Sequence, residues 1–182
     1  LMAGQDPAAL QTLHRVSVEK MAPAAAYTRA GLVNWSIISG ATAAWAQKVF
    51  PDLAVDAAEA RLWDAIFDSC RVRAEDPVAA WKQHVAELAA RSNYLNAKQY
   101  KALHFKAPGT DLTVGMPHGH LWTSGSWVAK NGIKTVANMP TEELFTLLHK
   151  EQIDGTVTAT KPLSYAGQLI DDFSLTFVNG RV

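Results

Sequence analysis

The feature that most constrains this chain is a change of period near Asn96. Before it, apolar residues recur at helical spacing; after it, they fall into short strand-like runs broken by turn residues. A helix-rich half followed by a strand-rich half reads as α+β, or as the end of one domain joined to the start of another. Asp6 and Pro7 cap and start a first helix, followed by Leu10, Leu13 and Val16. Leu32 to Ser39, between Gly31 and Gly40, is an apolar run short enough for a buried strand. Thr42 caps a short helix through Trp45 and Val49 that ends before Pro51. Asp56, with Glu59 three residues on, reads as the N-cap of the next helix. Its apolar face is Leu62, Trp63, Ile66, Phe67 and Cys70. Asp76-Pro77 opens another helix with Val78, Trp81, Val85 and Leu88 as its stripe, and the tryptophans read as core.

Beyond Asn96, Ala102 to Lys106 and Leu112 to Met116 flank the turn signal Pro108-Gly109. Ile133 to Ala137, Thr156 to Thr160 and Leu175 to Val178 carry β-branched residues at strand-like spacing. The alternation of Thr156 to Thr160 predicts a half-exposed strand. Leu175 to Val178 runs into Asn179-Gly180, a strong hairpin signal, with only Arg181 and Val182 to follow. A returning strand needs several residues, so the expectation is a truncated chain.

Lys+Arg and Asp+Glu are equal at 17 each, so there is no basic excess to collect phosphates and nucleic acid is not an expected partner. Cys70 is the only cysteine, which excludes an internal disulfide and a four-thiolate zinc site. It reads as a core residue in a reducing compartment, and the expected location is cytoplasmic. No run reaches the roughly 18 apolar residues of a membrane span. Leu1-Met2-Ala3-Gly4, followed by Gln5 and Asp6, does not read as a secretory signal.

The segment Asn138-Met139-Pro140-Thr141-Glu142-Glu143-Leu144-Phe145-Thr146 is the most unusual in the chain. On extended backbone, adjacent side chains point to opposite faces, so only one of Glu142 and Glu143 faces a given site. Carboxylates are hard oxygen ligands for Zn²⁺, Mn²⁺, Co²⁺ or Mg²⁺ and can bridge two ions. The alternative is that both are solvated surface charge. Pro117-His118-Gly119-His120 reads as a turn with exposed histidines, or as a metal pair if a third ligand meets it; Glu143 would complete such a small zinc site. His14, His84, His104 and His149 lack ligand-type spacing and read as surface or partly buried residues. There is no Gly-x-Ser-x-Gly elbow and no phosphate-binding glycine loop. Thr123-Ser124-Gly125-Ser126 is a polar turn with no evident base, and Asp111 in Gly109-Thr110-Asp111-Leu112 reads as bonding nearby backbone.

Several segments, taken in order, resemble the metallo-aminopeptidase family that includes aminopeptidase T and the aminopeptidase S enzymes. They are Trp45-Ala46 with Val49-Phe50-Pro51-Asp52, Leu62-Trp63 with Ile66-Phe67, and Asp76-Pro77 with Trp81 and His84. Leu95-Asn96, Leu103-His104, Gly109 to Thr113 and Asn138 to Thr146 follow. Asp154-Gly155, Thr160 to Leu163 with Tyr165 and Gly167, and Phe177 to Val182 complete the match, which covers almost the whole chain. The resemblance implies an enzyme that removes N-terminal residues from peptides with two divalent ions, Zn, Co, Mn or Mg, and acts as a homodimer. It implies that residues 1–96 end an N-terminal α/β domain. Residues 97–182 would then begin a metal-binding catalytic domain whose site faces an internal cavity. The second Glu of the family's Pro-Thr-Glu-Glu motif is a metal ligand and falls on Glu143; some relatives carry Gly in place of Glu142. The family's further ligands, a Glu, two His and an Asp, come later in its chain. The 182 residues alone are therefore expected to be inactive. The competing reading is a non-catalytic segment acting as a scaffold or peptide-binding module.

Overall fold

The computed structural model describes residues 6–165 and 168–182; Leu1 to Gln5 and the family-matching Gly167 lie outside the described residues. The fold is α+β, with helices first and strands after, as the change of period predicts. The helices are α1 (Pro7–Arg29), α2 (Ala43–Val49), α3 (Val55–Ser69) and α4 (Pro77–Lys98). The short strand β1 (Ile37–Ile38) lies between α1 and α2. Beyond α4 come β2 (Ala102–Ala107), β3 (Thr110–Gly115), β4 (Thr123–Ser124), β5 (Ser126–Val128), β6 (Lys134–Val136), β7 (Asn138–Met139) and β8 (Leu144–Phe145). The last strands are β9 (Ile153–Thr158), β10 (Leu163–Tyr165), β11 (Gln168–Ile170) and β12 (Ser174–Phe177).

The helix ends follow local chemistry. Asp6 Oδ1 accepts from the Ala8 N–H at 3.0 Å as α1 begins. Thr42 Oγ1 accepts from the Trp45 N–H at 3.3 Å and caps α2. Asp76 Oδ1 accepts from the Ala79 N–H at 2.9 Å, with Pro77 in the first turn of α4 where a missing N–H costs nothing. The expected cap at Asp56 is corrected: α3 begins at Val55 after Ala54, which makes no side-chain cap. Asp56 sits inside the first turn, where its charge complements the helix dipole instead.

The chain divides into two compact units. The first contains Met21–Arg91 and Ser124–Leu144. Its core joins Ala46 of α2 to Ala58, Leu62 and Ile66 of α3 and to Cys70, with Trp45, Phe50, Trp63 and Met139 packed against them. Trp63 and Phe67 stack at 5.4 Å. On α4, Val85 and Leu88 are buried while Val78 is exposed, so the stripe narrows to its middle two turns. β5 and β6 pair antiparallel, and β1 pairs parallel with β7 through Ile37↔Asn138 and Ile38↔Met139. The expected buried strand over Leu32 to Ser39 is corrected to these two residues, which are 59% and 72% exposed. Apolar composition does not bury a strand unless another layer covers its face, and no described residue covers these two side chains.

The second unit contains Ser92–Thr123 and Phe145–Val182. Its centre is an antiparallel sheet in the order β12-β9-β3-β2. β2 and β3 form the hairpin expected at Pro108-Gly109, with Gly109 at φ 72°. β9 begins at Ile153, earlier than the Thr alternation indicates, and pairs Gly155 with Leu112. Gly155 has φ 116°, and a Cβ there would overlap the Asp111 carbonyl. Asn96 binds the Trp122 backbone twice: its Nδ2 donates to the carbonyl at 2.9 Å and its Oδ1 accepts from the N–H at 2.7 Å. The Asn179-Gly180 turn forms, both residues at positive φ, with the Val178 N–H donating to the Arg181 carbonyl at 2.9 Å.

Candidate metal-ligand segment

Glu142 and Glu143 follow β7 in the first unit. Met139 anchors the segment by packing against the α2–α3 core. The Met139-Pro140 peptide is cis. Thr141 is buried and sits over Gly125, where a Cβ would overlap the threonine methyl. The polar turn at Ser124-Gly125 thus serves as a seat for Thr141.

Two residues reach this segment from the helical side. Arg71 follows α3 with φ 59°, held by its N–H to the Asp68 carbonyl at 3.0 Å. Trp81 of α4 donates from Nε1 to the Cys70 carbonyl at 2.7 Å, tying that loop to α4. The Arg71 guanidinium lies 5.0 Å from the centre of the Trp81 ring and donates from Nη2 to Glu142 Oε1 at 2.9 Å. His84, one turn further along α4, places Nε2 at 2.7 Å from the Thr141 carbonyl and 3.3 Å from Glu142 Oε2. A carbonyl oxygen only accepts, so His84 Nε2 carries the proton. His84 is buried, which corrects the reading of it as a surface or partly buried residue. Its burial is tolerated because Nε2 is satisfied by the Thr141 carbonyl, with Glu142 Oε2 beside it.

Asn138, Pro140, Thr141, Glu142 and Glu143 line an open depression of about 480 Å³. Within it the two carboxylates differ. Glu142 is committed to Arg71 and His84, whereas Glu143 is exposed and has no ion-pair partner among the described residues. A hard oxygen donor with open space before it fits one position in the shell of a divalent cation. It fills one position only: among the described residues no three His, Cys, Asp or Glu come together in a metal-holding group.

The histidine pair divides likewise. His118 is exposed, but His120 is buried, with Nδ1 donating to the Pro117 carbonyl at 3.0 Å. The expectation of two exposed histidines is corrected for His120. His104 lies on β2, where its Nε2 donates to Asp111 Oδ1 at 2.8 Å, with Lys106 Nζ 3.6 Å from the other oxygen. The hydrogen bond from His104, opposed by partial desolvation and helped by Lys106, holds the Asp111 carboxyl below the usual aspartate range. Asp111 therefore bonds a side chain across the hairpin rather than nearby backbone. Arg71, His84 and Gly125 were not singled out as site residues by spacing. They lie 71, 57 and 16 positions from Glu142, Thr141 and Thr141 respectively, and only folding brings them together.

Comparison with known proteins agrees with the residues quoted above. The family described as thermophilic metalloprotease (M29) matches residues 1–182. Aminopeptidase 2 of Geobacillus stearothermophilus is 43% identical over 182 residues, covering 100% of this chain and 44% of that protein. Aminopeptidase T of Thermus aquaticus is 44% identical, covering 98% of this chain and 46% of that protein. The solved structure of wild-type AmpT from Thermus thermophilus superposes with a TM-score of 0.86 at 38% identity, over 98% of this chain and 43% of that one. The chain spans less than half the length of the curated relatives it matches. With the family matched from end to end and the Pro140-Thr141-Glu142-Glu143 segment standing open on the first unit, the chain belongs to the thermophilic metalloprotease family M29.

Proposed function

We propose that the protein carrying this chain is a metal-dependent aminopeptidase that hydrolyses N-terminal residues from peptides, and that Glu143 is one ligand of its divalent-metal site. The observation that carries the reading is the unequal treatment of adjacent carboxylates: Glu142 is held by Arg71 and His84, while Glu143 faces the depression without a partner among the described residues. An unpaired carboxylate beside open space supports reading Glu143, rather than Glu142, as the ligand. When bound, a pair of such ions (Zn, Co, Mn or Mg) would lower the pKa of a water and polarise the scissile carbonyl. The chain's own part is to present one carboxylate and to keep its neighbour occupied.

The rest of the reading follows the family. Residues 1–96 belong to an N-terminal domain and residues 97–182 begin the metal-binding one; the whole protein is a cytoplasmic homodimer. The buried free thiol of Cys70 is in keeping with a reducing compartment, and no helix of the described residues is long and apolar enough to cross a membrane.

In the whole protein, Glu143→Ala is expected to abolish metal-dependent release of leucine from a leucyl chromogenic amide and to weaken Co²⁺ binding. Unchanged activity in that variant would defeat the ligand assignment. The 182-residue polypeptide by itself is expected to release no leucine under any divalent metal, because one carboxylate falls short of the about three protein ligands a catalytic zinc needs. Metal-dependent turnover by the purified chain would refute this.

A further inference from the structure

The residues just before Glu143 are gripped at three points. The Thr141 carbonyl accepts from His84 Nε2 at 2.7 Å. The Thr141 side chain is buried over Gly125, with no room for a Cβ beneath it. The Glu142 carboxylate is held by Arg71 and His84. Glu143 itself is gripped by none of these. A long carboxylate side chain loses rotamer freedom when it ligates, so the more firmly its backbone is placed, the less ordering remains to be done on binding. The grips differ in strength. The Glu142 contacts are made by a carboxylate side chain that is 64% exposed and are screened by water. The His84 contact is made by a side chain 10% exposed, whose ring is also fixed edge-on to Trp81 at 5.6 Å. A buried hydrogen bond to backbone resists solvent competition far better than an exposed ion pair.

We infer that His84 is a positioning residue for the metal site. Its Nε2–H holds the Thr141 carbonyl, and through it the backbone that presents Glu143. The inference rests on the reading of Glu143 as a ligand. It assigns a task to a helix residue whose polar contacts are with Thr141 and Glu142 and not with Glu143 itself. It also ranks the grips: the backbone contact matters more than the Glu142 carboxylate, although that carboxylate is the more conspicuous group in the sequence.

The test is Co²⁺ affinity of the whole protein, read by calorimetry and by visible absorption of the bound ion, with circular dichroism confirming the fold of each variant. His84→Ala is expected to weaken Co²⁺ about 10- to 100-fold, the usual range for outer-sphere partners of ligands. His84→Gln returns an N–H donor at similar reach and is expected to recover most of that loss. His84→Asn, whose shorter amide stops short of the carbonyl, is not, and it replaces the alanine variant should that one fail to fold. Glu142→Gln is expected to stay within about fivefold of the parent, the scale of an exposed ion pair. Parental Co²⁺ affinity in both His84→Ala and His84→Asn would overturn the inference, as would equal loss in His84→Gln and His84→Asn, which would mean the ring acts only by filling space. Glu143→Ala separates the two levels. If it keeps Co²⁺ affinity, the ligand reading fails and takes this inference with it. If it loses affinity while the His84 variants do not, the ligand reading stands and only the positioning role falls.

Discussion

Glu142 and Glu143 are chemically identical and adjacent, and the fold gives them different surroundings: Glu142 is paired, while Glu143 has no ion-pair partner among the described residues. Neither residue lies in a strand, and which carboxylate is left open is decided by Arg71 and His84, both far off in sequence. Composition and spacing could not supply that choice, because a side chain's partner across dozens of positions leaves no local trace. Asp111 makes the same point on the β2–β3 hairpin, where its partner His104 is directly readable only once the register is known. Its folded pKa lies below its unfolded one. The pairing therefore stabilises the hairpin above the ordinary aspartate pKa, and the contribution is lost as pH falls through the lowered folded value. A carboxyl ¹³C NMR titration is expected to place the Asp111 midpoint below that of an ordinary aspartate. His104→Ala should move it upward, and an unmoved midpoint would remove His104 as the main cause.

Helices and the longer strands were legible where the two-residue strands were not, for a reason of range. A cap such as Thr42, a Pro at the start of α4 and an apolar face on α3 all act within four residues. The two-residue strands have no such autonomy: β1 exists only because β7 lies beside it, a hundred residues on. The exposed Val78 and buried Leu88 show that even a helical stripe is edited by what packs on it. Leu88 is 1% exposed and is the largest fully buried side chain among the described residues. Leu88→Ala is expected to cost about 2–5 kcal/mol through lost transfer energy and the cavity left behind. Urea denaturation followed by far-ultraviolet circular dichroism measures this; a cost under about 1 kcal/mol would mean that the site collapses to fill itself.

At the scale of the molecule, the α+β class was plain from the change of period, while the amount of surface was not. The chain has 13015 Å² of accessible surface. Surface scaling gives roughly 8,600 Å² for one compact body of this mass and roughly 10,400 Å² for two separate halves. Large apolar side chains contribute to that surface, with Ile38, Leu121, Leu147 and Leu169 each about 70% exposed or more. Exposed apolar surface, where it is contiguous, marks surfaces that associate. The purified 182-residue polypeptide is expected to bind the apolar dye anilinonaphthalene sulfonate at neutral pH and to self-associate in sedimentation. A monodisperse monomer that leaves the dye dark would contradict the surface described.

Trp81 touches three of the parts discussed above: the carbonyl after α3, the guanidinium of Arg71 and the ring of His84. Indole emission shifts with the charge and polarity beside the ring. The same aromatic that braces the segment is thereby an optical gauge of it. Any event that loosens Arg71 from Glu142 also alters the field over Trp81, so a variant that keeps Trp81 and replaces the chain's other five tryptophans would report on that region without a label and without a turnover assay.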